Sequence, residues 1–131
     1  PKNGPLLLDG ARAAAALRAE LKAAVAEAVA QGRRPPHLVA ILVGNDPASE
    51  TYVANKIKAC AEVGFRSTLE RHEANLAEEA LLARIAALNA DAGVDGFIVQ
   101  LPLPRHISET RVIEATLPEK DVDGFHPINL G

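Results

Sequence analysis

The fold is decided by the stretch Leu38-Val-Ala-Ile-Leu-Val-Gly-Asn-Asp-Pro47. Its first six residues form an unbroken apolar run, and their length and valine content predict a strand that is buried on both faces, as in a parallel sheet. Asp46 then offers a helix cap and Pro47 suits the first helical position, so a helix is expected to begin there and to continue to about Val63. A buried strand that passes directly into a helix is the repeating unit of an α/β fold.

The chain on the N-terminal side of this strand predicts a long helix. Apolar residues recur at helical spacing after Leu6-Leu-Leu8, and Asp9 is expected to cap the helix that they form. Gly32, followed by Pro35-Pro36, is expected to end it.

Two more strands and two more helices are expected on the C-terminal side. Alternation of Phe65, Ser67 and Leu69 with polar residues predicts a more exposed strand. Capping signals at Asn75–Glu78 and at Ser108 predict the starts of two helices, and a third strand is expected over Phe97–Leu101. Strands and helices alternate, so we expect one domain, residues 1–131, with a three-layer α/β architecture and a mostly parallel sheet flanked by helices.

Composition narrows the class of protein. The chain has 131 residues, 48% of them hydrophobic and 24% charged, which excludes an intrinsically disordered protein. The formal net charge of −3 argues against nucleic acid as a partner. The apolar stretch near the N-terminus is interrupted by charges, which argues against a membrane span or a signal peptide. We therefore expect a cytoplasmic protein, and its single cysteine, Cys60, rules out an intramolecular disulfide and fits a reducing compartment.

The helix after Asp46 carries the candidate chemistry. At about 100° per residue, Ser49, Tyr52, Lys56 and Cys60 lie within about 80° of one another, on a face that begins at the carboxyl end of the first buried strand. A partly apolar cleft disfavours the charged form of an amine, which suits a lysine to proton transfer. Gln100 lies at the end of the third strand, where an amide could orient that amine.

Ordinary structural roles account for the same residues. Tyr52 could lie on the surface beside a solvated lysine, Gln100 could satisfy nearby backbone groups, and Cys60 fits a small buried helix residue better than a nucleophile. The four histidines are scattered, so we predict no metal site. A tyrosine four residues before a lysine also occurs in short-chain dehydrogenases, but the chain contains no G-x-G-x-x-G fingerprint for a dinucleotide.

Three segments together resemble one enzyme family. They are Val43-Gly-Asn-Asp-Pro-Ala-Ser-Glu-Thr-Tyr-Val-Ala-Asn-Lys-Ile-Lys-Ala-Cys60, Gly96-Phe-Ile-Val-Gln-Leu-Pro-Leu-Pro104 and Pro118-Glu-Lys-Asp-Val-Asp-Gly-Phe-His-Pro-Ile-Asn129. In this order they are similar to the bifunctional methylenetetrahydrofolate dehydrogenase/methenyltetrahydrofolate cyclohydrolase family. The resemblance covers essentially the whole chain but only the N-terminal catalytic domain of that family.

The resemblance implies roles for particular residues. Lys56 is the implied catalytic lysine and Gln100 its hydrogen-bonding partner. Tyr52 is expected to pack its ring against the folate, and Asp123 to accept hydrogen bonds from the pterin ring. Further implied contacts with the substrate come from Ser49, Val99 and Leu101.

The resemblance also implies an activity. Members oxidise 5,10-methylenetetrahydrofolate with NADP, or with NAD in some cases, and hydrolyse the methenyl product to 10-formyltetrahydrofolate, in one-carbon metabolism that serves purine biosynthesis. They are usually homodimers and bind the cofactor in a C-terminal Rossmann domain, which is expected beyond Gly131. A second hypothesis is an isolated folate-binding or dimerising module without turnover.

Overall fold

The computed structural model describes the backbone of residues 3–122 and the side chains of residues 15–122, so Asp123 lies outside the described residues. Helices and strands alternate along the chain. Their order is α1 (Asn3–Ala30), β1 (His37–Val43), α2 (Pro47–Glu62), β2 (Arg66–His72), α3 (Glu78–Ala90), β3 (Gly96–Val99) and α4 (Glu109–Ala115), followed by a short 3-10 turn (Pro118–Lys120).

The three strands form one parallel sheet in the order β2-β1-β3. The apolar run therefore occupies the centre of the sheet, and Leu38 pairs with Ser67 on one side and with Gly96 on the other. The last five residues of β1 are all buried. This arrangement confirms the predicted α/β class with a parallel sheet. It also explains the continuous apolar run of β1, because a strand that is covered on both faces has apolar side chains on both.

Successive residues of β1 pack into two different cores. Val39, Ile41 and Val43 face a large cluster, which also contains Leu81, Ile85 and Leu88 of α3, Phe97 of β3 and Val112 of α4. Ala40 and Leu42 face the opposite side, where they pack with Val53, Ile57 and Leu69. The sheet is thus the middle of three layers, as expected, with α2 on one face and α3 and α4 on the other.

Helix α2 begins and ends where the sequence indicates. The side chain of Asp46 accepts a hydrogen bond from the Ser49 backbone N–H at 3.0 Å, and Pro47 opens the helix. The helix ends at Glu62, and Gly64 follows with a φ of +86°, a left-handed conformation that side chains other than glycine rarely adopt. Local chemistry therefore decides both ends of the helix that carries the candidate site.

Two predicted helix caps are wrong. Helix α1 begins at Asn3 and runs through Asp9, which is therefore an interior residue. Helix α3 begins at Glu78 without a side-chain cap, so Asn75 does not form a capping box. The physical reason is that Glu78 is used elsewhere: its carboxylate accepts hydrogen bonds from the Ser108 N–H and the Arg111 guanidinium, both at 2.9 Å.

Strand β3 is shorter than predicted, since it ends at Val99 and not at Leu101. The Gln100 N–H still donates to the Ile41 carbonyl at 2.9 Å, which is the last hydrogen bond between these two chain segments. Pro102 and Pro104 have no N–H to continue the pairing. The predicted cap of α4 is confirmed, because the Ser108 hydroxyl accepts a hydrogen bond from the Arg111 N–H. Within the described residues, none of the helices has the length and apolar character needed to cross a bilayer.

Burial predicts very different effects for the same substitution at two leucines. Leu81 is fully buried in the core beneath β1, whereas Leu17 on α1 is 65% exposed. We expect Leu81→Ala to lower the free energy of unfolding by about 3 kcal/mol, because it leaves a cavity. Leu17→Ala is the matched control, and we expect it to change this free energy by less than about 0.5 kcal/mol. Urea denaturation measures both, and equal losses would contradict the assigned core.

The ion pair between Glu70 and Arg84 predicts a pH-dependent stability. Arg84 Nε donates to both carboxylate oxygens at 3.0 Å, joining β2 to α3, and this hydrogen bonding holds the pKa of Glu70 below its usual range. Because the pKa is lower in the folded state, the carboxylate stabilises the fold above the unfolded pKa of about 4.3 and loses this effect as the pH falls through the folded pKa. We expect Glu70→Gln to cost about 1 kcal/mol at pH 7.

That cost should shrink as the pH falls below about 4, where Glu70 itself becomes protonated. Glu73→Gln is the control, because Glu73 is exposed and its loss changes the net charge equally. Unfolding curves at several pH values test this. A deficit for Glu70→Gln that stays constant down to pH 2 would refute the assigned linkage.

Candidate active site

The candidate site lies at the carboxyl edge of the sheet, where β1 and β3 end side by side. Ile41 pairs with Val99, so the chain leaves both strands at nearly the same level. Helix α2 begins just after β1, and Gln100 directly follows β3. Ligands of open α/β sheets bind beyond this edge, since the loops that leave neighbouring strands separate there.

The structure brings Lys56 and Gln100 into direct contact. Lys56 Nζ donates a hydrogen bond to Gln100 Oε1 at 2.9 Å, across 44 positions of the sequence. Lys56 is half-buried and Gln100 is 6% exposed, so the pair is largely shielded from water. An amine that an uncharged acceptor positions at the ligand-binding edge of a sheet is suited to general acid–base catalysis.

The carbonyl of Leu101 anchors the other end of the Gln100 amide. Gln100 Nε2 donates to this carbonyl at 2.9 Å, and Ser49 Oγ donates to the same oxygen at 3.4 Å. Ser49 is only 1% exposed. Its side chain therefore faces the loop after β3 and not the open cleft.

Tyr52 lies one helical turn before Lys56 and is 53% exposed. Its position on the open side of α2 leaves the aromatic ring accessible to a planar ligand. Val53, the next residue, is 2% exposed and belongs to the core, so it fixes this turn of the helix against the sheet. Ile57, one helical turn further on, packs against the same core, so both residues anchor the helix on the sheet.

Val99 and Leu101 are half-buried, and both pack against the large core cluster. They also line a small cavity behind β3, with a volume of about 30 Å³. This volume holds about one water molecule. This cavity is therefore too small for a ligand larger than water.

A hollow beside the site was missed in the sequence analysis. It has a volume of about 340 Å³, within the range of small-molecule sites. Its lining consists of three loops, with residues Val43, Gly44, Asn45, Asp46, Ala74, Pro102, Leu103 and Pro104. The first and third loops were expected at this edge, but Ala74 comes from the connection between β2 and α3, for which the sequence offered no signal.

Cys60 and Lys58 lie outside the centre of the site. Cys60 is half-buried, and burial raises the pKa of its thiol, which disfavours the reactive thiolate. Lys58 is exposed, in agreement with its position on the other side of α2. No group of three His, Cys, Asp or Glu residues that could hold a metal ion occurs in the part of the chain that the structure describes.

Asp123 lies just past the described residues, so its predicted role stays a prediction. The chain that leads to it runs parallel to β3, because Asp121 forms a bridge with Phe97. The Val122 N–H donates to the Phe97 carbonyl at 3.5 Å. This segment therefore heads for the edge of the sheet that holds Gln100.

Fold and site together define a three-layer α/β domain with an amine–amide pair at the carboxyl edge of its sheet. The chain belongs to the tetrahydrofolate dehydrogenase/cyclohydrolase family, whose catalytic domain matches residues 8–123. The resemblance found in the sequence is thereby confirmed.

Relatives and solved structures agree with this membership. The bifunctional protein FolD of Phocaeicola vulgatus is 59% identical over 125 residues, which are 95% of this chain and 43% of that protein. The crystal structure of the bifunctional enzyme FolD, methylenetetrahydrofolate dehydrogenase/cyclohydrolase, from Campylobacter jejuni matches with a TM-score of 0.87 and 45% identity, over 95% of this chain and 44% of that one.

A further similar structure was solved with a cofactor bound. The methylenetetrahydrofolate dehydrogenase-cyclohydrolase of Trypanosoma brucei, solved with NADP and an inhibitor, matches with a TM-score of 0.83 and 37% identity, over 92% of this chain and 41% of that one. The chain thus spans less than half the length of each of these three proteins.

Proposed function

We propose that this chain is the folate-binding catalytic half of a bifunctional enzyme. The enzyme oxidises 5,10-methylenetetrahydrofolate with NADP and hydrolyses the resulting 5,10-methenyltetrahydrofolate to 10-formyltetrahydrofolate. The observation that carries the proposal is the 2.9 Å hydrogen bond from Lys56 Nζ to Gln100 Oε1, at the ligand-binding edge of a member of this family.

Hydrolysis of the methenyl group requires three proton transfers. Water adds to the methenyl carbon, which bears positive charge, and must lose a proton as the C–O bond forms. The C–N5 bond then breaks while N5 gains a proton and the hydroxyl proton leaves, so one proton is released overall. We assign the first removal and the return to N5 to the Lys56 amine, with Gln100 Oε1 holding it in position.

The oxidation transfers a hydride from the folate to an acceptor, and this transfer needs no nucleophile from the protein. Bound NADP supplies this acceptor through its nicotinamide ring. The role of this chain is to hold the folate with its methylene carbon exposed. Tyr52 supports this role, since its ring is half exposed beside Lys56 and can stack on the pterin.

We assign the remaining contacts with the folate to three residues. The Asp123 carboxylate accepts hydrogen bonds from the pterin ring, and Val99 and Leu101 contribute contacts from the end of β3. The course of the chain supports the first assignment, because Asp121 already runs beside Phe97 towards that edge.

We infer a larger assembly around this domain. The chain lacks a G-x-G-x-x-G fingerprint and spans less than half of its relatives, which supports a separate Rossmann domain for NADP beyond Gly131. NAD is the alternative cofactor. A homodimer, a cytoplasmic location and a contribution to purine biosynthesis complete the proposal.

A second candidate is a folate-binding or dimerising module that lacks turnover. It is favoured by the missing dinucleotide fingerprint alone. Binding and turnover therefore have to be measured separately.

Tyr52 allows folate binding to be observed directly. It is the only tyrosine in the chain, and there is no tryptophan, so ultraviolet emission from this chain reports on the candidate site. We expect tetrahydrofolate to quench this emission with a saturable curve and a dissociation constant on the order of 1 μM to 1 mM. A control with p-aminobenzoylglutamate, which lacks the pterin, should quench less.

The absorbance of the folate is corrected with free N-acetyltyrosinamide at the same concentrations. Quenching no greater than that of the free tyrosine would count against a folate site at Tyr52. Binding without hydrolysis in the two-domain enzyme would favour the module.

Substitution of Lys56 tests the catalytic assignment. In the enzyme that joins this domain to its Rossmann domain, we expect Lys56→Ala to lower kcat for methenyltetrahydrofolate hydrolysis by at least about 100-fold, because the proton carrier is lost. Lys58→Ala is the matched control, two residues away and exposed, and should stay within about twofold of the unmodified enzyme. Near-normal hydrolysis by a folded Lys56→Ala enzyme would refute the assignment.

A further inference from the structure

We propose that Ser49 is a positioning residue for hydrolysis, which acts through the Leu101 carbonyl to fix the orientation of the Gln100 amide. The inference rests on the proposed function, since it concerns the same Lys56–Gln100 pair. The resemblance implies that Ser49 contacts the substrate. The role proposed here is indirect and takes the place of that contact.

The two ends of a glutamine amide have opposite hydrogen-bonding properties. Oε1 only accepts hydrogen bonds and Nε2 only donates them, whereas a lysine ammonium only donates. Lys56 Nζ therefore needs Oε1 to face it, and a rotation of the amide by half a turn would set donor against donor. Something else in the site has to favour one of the two orientations.

The Leu101 carbonyl is the group that favours the observed orientation. It accepts the hydrogen bond from Gln100 Nε2 at 2.9 Å, so Nε2 points away from Lys56 and Oε1 points towards it. The carbonyl favours this orientation of the Gln100 amide only while the carbonyl itself is held in place. The carbonyl belongs to a loop outside the regular sheet, because β3 already ends at Val99.

Ser49 holds that carbonyl from helix α2. Its hydroxyl donates to Leu101 O at 3.4 Å, and with Ser49 1% exposed, water has little access to replace it. Ser49 and Lys56 lie seven positions apart, which is about two helical turns, so they occupy the same face. One rigid helix thus carries both the amine and the group that orients its acceptor.

The same loop has a second attachment, which provides a control. The Leu103 N–H donates to Glu109 Oε2 at 2.9 Å, at the first residue of α4. This hydrogen bond holds the loop without touching the carbonyl that Gln100 uses. Loss of Glu109 therefore loosens the loop but leaves the orientation of the amide under the control of Leu101 and Ser49.

The test compares variants in the two-domain enzyme. We expect Ser49→Ala to lower kcat for methenyltetrahydrofolate hydrolysis about tenfold, with KM within about twofold, because the substrate still binds but the amine is misplaced. Ser49→Thr keeps the hydroxyl and should recover most of the rate. Glu109→Ala should lower the unfolding midpoint but leave kcat within about twofold.

A double-mutant cycle separates this role from a general loss of structure. If Ser49 acts through Gln100, Ser49→Ala should have little further effect on kcat in the Gln100→Ala background. A full tenfold loss in both backgrounds would overturn the inference. So would an unchanged kcat for Ser49→Ala, or a rise in KM alone. Should Ser49→Ala fail to fold, Ser49→Cys takes its place in the cycle, with the same expectation.

Failure of the proposed function gives a different result. In that case the unmodified enzyme does not hydrolyse methenyltetrahydrofolate, or a folded Lys56→Ala enzyme retains normal turnover. If the unmodified enzyme hydrolyses methenyltetrahydrofolate and Lys56→Ala greatly lowers this turnover, the proposed function is supported. If only the Ser49 cycle then fails, the inference alone is wrong.

Discussion

The rest of the structure depends on the burial of β1 on both faces. Its residues alternate between two cores, with Ile41 fully buried against α3 and Leu42 almost fully buried on the side of α2. A strand of this kind cannot lie at an edge or face water without exposing one complete set of apolar side chains. The positions of β2 and β3, and of the helices that cover them, follow from this requirement, and the carboxyl edge of the sheet becomes the place where the loops meet.

The end of the sheet opposite the site is held by charged hydrogen bonds. Arg34 Nη1 and the His37 N–H both donate to Asp95 Oδ2 at 2.7 Å, and Arg34 Nη2 donates to the Ala92 carbonyl at 2.9 Å. The Arg34 guanidinium holds the pKa of Asp95 below its usual range, so the carboxylate stays ionised near neutral pH. These contacts join the segments that enter β1 and β3, and therefore help to set the register that aligns Lys56 with Gln100.

Helix α2 and the loop after β3 contribute different groups to the site. Helix α2 supplies Ser49, Tyr52 and Lys56 at fixed spacing, whereas the loop after β3 supplies an amide and a carbonyl. A helix packed on the sheet keeps its side chains in place, but a loop needs its own attachments. Hydrogen bonds from Ser49 to Leu101 and from Leu103 to Glu109 provide them. The loop is thus attached to both α2 and α4, and the orientation of the Gln100 amide depends on the attachment to α2.

The sequence by itself determined the α/β class, the central strand and both ends of α2, because these features depend on local patterns of hydrophobicity and capping. It indicated the family through the resemblance of three segments. Only the tertiary structure decided that Glu78 bonds to Ser108 and Arg111 in place of a capping box, and that β3 stops at Val99. It also decided that Ser49 faces the Leu101 carbonyl across 52 positions. A helical wheel places a residue on a face, but which distant backbone group that face meets depends on the packing of the sheet against its helices.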